Sequence, residues 1–264
     1  GDMLYREFGP AELHPGLTAG EGVRLRAYCR EHTGLLADDG KRWAVLILPG
    51  GAYRRLAPAE SEPVALAFLA AGIQAFVLDY SVLPRRWPQP LLETAAAVAF
   101  LRSHAAEYGF RADRVAVCGF SAGGHLAGYL SGRWEDPAIG AALGLTPDQV
   151  RPDAAVLGYP VVHLAALLEE IGAPEALRLD RQGRPGHPPV FLWATVRDAT
   201  VPVENTLDYA RALRAAEVPF ELHLFADGPH AMGLADQESA RDEDHCNAHA
   251  AAWHPLCVDW LKGR

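Results

Sequence analysis

Cysteine is scarce in this chain of 264 residues: Cys29, Cys118, Cys246 and Cys257 are the full set, and no C-x-x-C pair occurs. So few thiols, so widely spaced, exclude a disulfide framework. Positive charge is also short, with Lys+Arg 24 against Asp+Glu 33 and a formal net charge of −9. An acidic surface repels phosphate backbones, so no nucleic-acid partner is expected. Long apolar runs are missing as well. The longest, Val64 to Leu78, is interrupted by Gly72 and Gln74 and falls short of the ~20 residues a membrane helix needs. Gly1-Asp2-Met3-Leu4 carries no basic stretch leading into an apolar one, so the expectation is a cytoplasmic protein with no membrane partner. Internal repeats and low-complexity tracts are absent too.

What is present is a large apolar fraction, 50% of the residues, which is enough to build a sizeable core. Short apolar runs of strand length stand at Trp43–Leu48, Ile73–Leu78, Arg114–Gly119, Ala154–Tyr159, Val190–Thr195 and Phe220–Phe225. Their near-continuous hydrophobicity fits strands covered on both faces, as in a parallel sheet. Helix-period stretches lie between and after them, at Glu60–Ala71, Leu91–Tyr108, Ala122–Ser131, Val203–Glu217 and Ala250–Lys262. Alternation of this kind predicts an α/β fold, a mostly parallel central sheet with helices on both faces. Gly22–His32 alternates apolar and polar residues and reads as an antiparallel edge strand. His163–Pro189, broken by glycines such as Gly183 and Gly186 and by four prolines, is long for a connection. The chain 1–264 therefore reads as a single domain with a pocket-lining insertion at about 163–189.

The sharpest motif follows the strand that ends near Cys118. Gly119-Phe120-Ser121-Ala122-Gly123 is G-x-S-x-G between a strand and a helix, the context in which a serine is presented at a tight turn. A serine hydroxyl is a weak nucleophile and needs a base that is itself oriented by an acid. Two later strands end beside the residues required. Asp198 follows Val190–Thr195, and His230 follows Phe220–Phe225, in the order Ser, Asp, His. Asp227 is the rival acid, but it shares a short loop with His230. Backbone N–H groups for an oxyanion are expected from Gly51 and Ala52, in the Pro-Gly-Gly-Ala-Tyr loop after Trp43–Leu48, and from Ala122. Against these readings stand bland ones: a capping serine and an ordinary turn.

Together these stretches resemble an α/β-hydrolase of the carbohydrate-esterase-like group, near acetyl-xylan esterases and feruloyl-esterase-like hydrolases. The resemblance rests on LPGGAY (48–53), the run at 61–84, GFSAGGHLAGYL (119–130), the segments at 188–195 and 198–205, and VPFELHLFADGPHAMGLA (218–235). It implies the α/β-hydrolase fold, Ser121, Asp198 and His230 as catalytic triad, and Gly51, Ala52 and Ala122 as oxyanion hole. It implies no cofactor and no metal, and a small-molecule ester substrate, acetylated sugars first. Three departures from the family pattern stand out: Ala52 where a third glycine is common, Ala231 after the histidine, and a 163–189 segment that is short against family members. Tyr53 and Trp87 are candidates to line the substrate pocket, beside the arginine pairs 54–55 and 85–86. His245 and His249 stand four apart, but no glutamate completes H-E-x-x-H, so a metal there is not expected. The function expected is a serine carboxylesterase for short-acyl esters. The alternatives are a peptidase or arylformamidase with the same triad, or a silent binding protein on a hydrolase fold.

Overall fold

A computed structural model describes residues 2–18, 20, 22–31, 42–172 and 175–264. Its strands are β1 (Met3–Phe8), β2 (Arg24–Arg30), β3 (Ala44–Leu48), β4 (Gln74–Asp79), β5 (Val115–Phe120), β6 (Ala154–Gly158), β7 (Val190–Thr195) and β8 (Phe220–Phe225). Helices are α1 (Pro10–Leu13), α2 (Glu62–Ala70), α3 (Gln89–Ser103), α4 (Ala122–Arg133), α5 (Pro137–Leu143), α6 (Pro147–Val150), α7 (Ala165–Ile171), α8 (Glu204–Ala215) and α9 (Trp253–Lys262). The strands form one sheet in the order β1-β2-β4-β3-β5-β6-β7-β8. All neighbours from β4 to β8 pair in parallel, while β1–β2 and β2–β4 pair antiparallel.

The strand read at Gly22–His32 is not an edge: β1 lies outside it, with Met3 opposite Arg30 and Phe8 opposite Leu25. On its other side Arg24 and Arg26 reach the carboxylate of Asp79 at the end of β4, both at 2.8 Å. Part of the expected strand, from His32 onward, lies outside the described residues.

Along β3 the side chains divide between two cores by alternation. Ala44, Leu46 and Leu48 face one side with α3, α4 and α8, and Val45 and Ile47 face the other with α2 and α9. Both faces are therefore covered, which is why these strands show no polar alternation. On the α9 side the indoles of Trp193 and Trp253 stack at 5.1 Å, fully buried. The chain's direction of progress reverses between β3 and β5: β4 lies on one side of β3 and β5 on the other. Open α/β sheets place their ligands beyond the carboxyl ends of strands at such a reversal.

Burial pushes the imidazoles of His125, His187 and His254 down to about 4. His187, just ahead of β7, sits between the Pro188 carbonyl at 2.7 Å and the Tyr209 hydroxyl at 2.9 Å. Its protonated form is disfavoured in the fold and free to form in the unfolded chain, near pH 6.5. Its contribution is therefore complete above pH 6.5 and is lost as pH falls toward 4, at about 1.4 kcal/mol per pH unit. Urea unfolding followed from pH 7 to 4.5 should show His187→Gln losing stability less steeply than the parent chain. Parallel curves for the two would rule out this linkage.

Candidate active site

Ser121 stands where β5 turns into α4, with φ 54° and ψ −119°, a backbone region that costs a side-chain-bearing residue about 1–3 kcal/mol. The surroundings over-determine it. Its N–H donates to the Gly158 carbonyl and its own carbonyl accepts from the Val161 N–H, both at 3.0 Å. The flanking glycines are required by contact. A Cβ on Gly119 would lie 2.1 Å from the Gly123 carbonyl oxygen, and one on Gly123 would lie 2.0 Å from the Leu48 carbonyl oxygen. Nothing larger lets strand, turn and helix approach this closely, so the spacing of the motif is a packing requirement of the turn.

The three residues singled out at separate strand ends converge here. His230 Nε2 lies 2.8 Å from Ser121 Oγ, and His230 Nδ1 lies 2.6 Å from Asp198 Oδ2. The second carboxylate oxygen, Asp198 Oδ1, accepts the N–H groups of Thr200 and Val201 at 2.9 Å each. Because those two donors hold Oδ1, Oδ2 is left for the imidazole. The Asp198 side chain is 1% exposed and that of His230 is 14%, so the chain of contacts is nearly dry at its acid end. Asp227 is elsewhere: its exposed carboxylate pairs with Arg197 at 3.0 Å.

On the other side of Ser121 runs the loop after β3. Gly51 has φ 129° and Ala52 φ 57°, so the position where a third glycine is common carries a Cβ in the left-handed region. Among the described residues the amides of Gly51, Ala52 and Ala122 have no protein acceptor, and Ala122 is the first residue of α4, where the helix dipole adds partial positive charge. Ala231, the other departure, also adopts positive φ, 65°. Both alanines thus keep the glycine-like backbone.

Tyr53 does not face a pocket. Its φ of 55° turns the ring inward, where it is 1% exposed and has no face left for a sugar. Its hydroxyl donates to His125 Nδ1 at 2.7 Å, while His125 Nε2 donates to the Leu177 carbonyl at 2.7 Å. That pairing fixes the tautomer and ties the loop after β3 to the 163–189 segment. Trp87 packs edge-on against Tyr129 at 4.7 Å, and its backbone N–H donates to the Ile171 carbonyl at 3.1 Å. Arg54 adds a surface pair with Glu170 of α7, at 3.1 and 2.5 Å. Two points of the 163–189 segment, Glu170 and Leu177, are therefore fastened to the loop after β3.

Two residues that the sequence reading passed over lie directly beneath these loops. Glu60, fully buried, accepts the Gly50 N–H at 2.6 Å and the Tyr159 hydroxyl at 2.8 Å. The Tyr159 oxygen in turn accepts the Gly233 N–H at 3.0 Å, and its ring stands 5.0 Å from that of His230. Only an unpaired acid at the start of an apolar helix could have hinted at this. His245 and His249 have ordinary roles: His245 bonds Asp242 at 2.6 Å, and His249 packs against Phe225 at 5.5 Å. No group able to hold a metal ion occurs among the described residues, and no helix there is long and apolar enough to cross a membrane.

The chain is similar to several known proteins. The sequence profile of the BD-FAE family matches residues 37–170. Endo-1,4-beta-xylanase B of Butyrivibrio fibrisolvens is 33% identical over 222 residues, 76% of this chain and 34% of that protein. The carboxylesterase Cest-2923 from Lactobacillus plantarum WCFS1 superposes with a TM-score of 0.86 at 26% identity, over 100% of this chain and 98% of the other. An acetyl ester-xyloside bifunctional hydrolase from Caldicellulosiruptor lactoaceticus superposes with a TM-score of 0.74 at 33% identity, covering 91% and 88%. The chain spans 34%, 56% and 45% of the length of three curated relatives it matches. The fold is that of the α/β-hydrolases.

Proposed function

Since the chain belongs to the BD-FAE family and is an esterase-like α/β-hydrolase, we propose that it is a serine carboxylesterase that removes short acyl groups, acetyl above all, from carbohydrate esters. The observation that carries the reading is His230 held between Ser121 Oγ at 2.8 Å and Asp198 at 2.6 Å. In this reading His230 Nε2 takes the hydroxyl proton as Ser121 Oγ attacks the ester carbonyl, and Asp198 holds Nδ1–H and stabilises the imidazolium. The tetrahedral oxyanion lies against the amides of Ala122 and of Gly51 or Ala52. Collapse expels the alcohol, which takes the proton from His230, and leaves an acyl group on Ser121. Water, deprotonated by the same histidine, then releases the acid and restores the serine.

The choice of acyl group and alcohol draws on the resemblance to the acetyl ester-xyloside hydrolase. A hydrolysis panel tests this directly: p-nitrophenyl acetate, butyrate and octanoate beside acetylated xylo-oligosaccharides and a feruloyl ester. We expect kcat/KM to fall at least about tenfold from acetate to octanoate, since a pocket discriminates by roughly 1–3 kcal/mol per misfit methylene, and the acetylated sugar to be cleaved. Equal rates on long and short chains would overturn the short-acyl assignment.

A further inference from the structure

Gly50, Glu60, Tyr159 and Gly233 come from four separate stretches of chain and meet under the candidate site. Gly50 precedes the two amides offered to the oxyanion, and Gly233 lies three residues past His230. A single chain of contacts joins them: Gly50 N–H to Glu60 Oε2 at 2.6 Å, Tyr159 O–H to Glu60 Oε1 at 2.8 Å, and Gly233 N–H to the Tyr159 oxygen at 3.0 Å. Three donors meet three acceptors, and the count closes when Glu60 is a carboxylate. The packing is tight as well. A Cβ on Gly50 would lie 2.7 Å from Glu60 Oε2 and 2.9 Å from Ser121 Cβ, so the Gly50 backbone is wedged between the carboxylate and the nucleophile. On the other side the Tyr159 ring meets that of His230 edge to face at 5.0 Å.

We propose that Glu60 is a positioning residue, which through Gly50 sets the oxyanion loop and through Tyr159 sets the His230 loop, holding both in one frame around Ser121. The inference rests on the serine-esterase reading above. An apolar core could fill this space at lower cost, because an isolated buried carboxylate is disfavoured. Burial holds its carboxyl above the usual carboxylate range, and the two hydrogen bonds and the charges of His230 and Arg241 oppose that only in part. The other titratable groups facing it are Tyr159, Tyr80 and Cys118, all pushed upward by burial and so neutral. As the carboxylate that accepts from both Gly50 N–H and Tyr159 O–H, Glu60 also places a negative charge near the imidazolium that forms during the reaction.

Glutamine cannot reproduce the pattern, since its amide offers one acceptor and presents a donor to the second partner. For Glu60→Gln we expect kcat on p-nitrophenyl acetate to fall about 10- to 100-fold, as when reacting groups are held slightly out of place. KM should change by less than about threefold, and the acid limb of kcat/KM should move to lower pH because the imidazolium loses a nearby negative charge. For Tyr159→Phe, which keeps the Glu60–Gly50 contact and the charge, we expect a loss of roughly tenfold in kcat with the acid limb in place. Should Glu60→Gln not fold, Tyr159→Phe alone decides. Folded variants with the parent kcat, or losses confined to KM, would overturn the proposal. A Ser121→Ala control separates the two readings: if it is inactive while the Glu60 and Tyr159 variants are unimpaired, only the positioning role fails.

Discussion

Replacing Ser121 by alanine is expected to lower kcat for p-nitrophenyl acetate by about 10⁴- to 10⁶-fold while leaving the melting temperature close to that of the parent chain. The size follows from the role. Without Oγ no acyl-enzyme forms, and the residual rate comes only from water attacking a carbonyl held by the amides of Ala122 and the loop after β3. Stability should hold because alanine keeps the Cβ, so the strained φ of 54° and its backbone contacts to Gly158 and Val161 are unchanged. Steady-state kinetics with a thermal melt checks both halves. A folded variant with the parent rate would remove Ser121 from the chemistry.

The second large effect separates the two candidate acids. Asp198→Asn should reduce kcat by about 10⁴-fold, and the reason lies in the donors around the carboxylate. Thr200 and Val201 N–H groups both point at Oδ1, so an asparagine must keep its carbonyl oxygen there. Its NH₂ then faces His230 Nδ1, which has to accept a hydrogen bond rather than donate one. The ring proton moves to Nε2, where the base that should receive the serine proton is blocked. Asp227→Asn, in contrast, loses only an exposed pair with Arg197, and such pairs contribute little. Its kcat should stay within about twofold of the parent value. The reverse ranking of the two variants, measured on the same ester, would exchange their roles.

Much of this frame is legible in the residues because it depends on local chemistry. Near-continuous apolar runs such as Val190–Thr195 mark strands buried on both faces, and the glycines of 119–123 mark a turn where backbones touch. Ser121, Asp198 and His230 could be singled out because each follows such a strand. What escaped is set by tertiary contact. β1 is six residues with a mostly exposed pattern, and only its pairing with β2 makes it a strand. Tyr53 has the composition of a sugar platform, yet a positive φ turns it into the core, and no side-chain pattern announces that. Glu60 reads as the polar first residue of an apolar helical stretch. Its meaning appears only when a short turn at Pro58–Glu60 tucks it under Gly50 and Tyr159. Ala52 and Ala231 teach the converse, since both positive-φ positions survive with a Cβ at a cost of about 1–2 kcal/mol each.

In the proposed reaction Ser121 is a nucleophile activated by His230 and Asp198. Treatment of the folded protein with a fluorophosphonate, followed by peptide mapping, reaches it most directly. We expect one adduct per chain, on Ser121, absent in Ser121→Ala and formed far more slowly in Asp198→Asn. An adduct on another residue, or none on the folded parent protein, would contradict it.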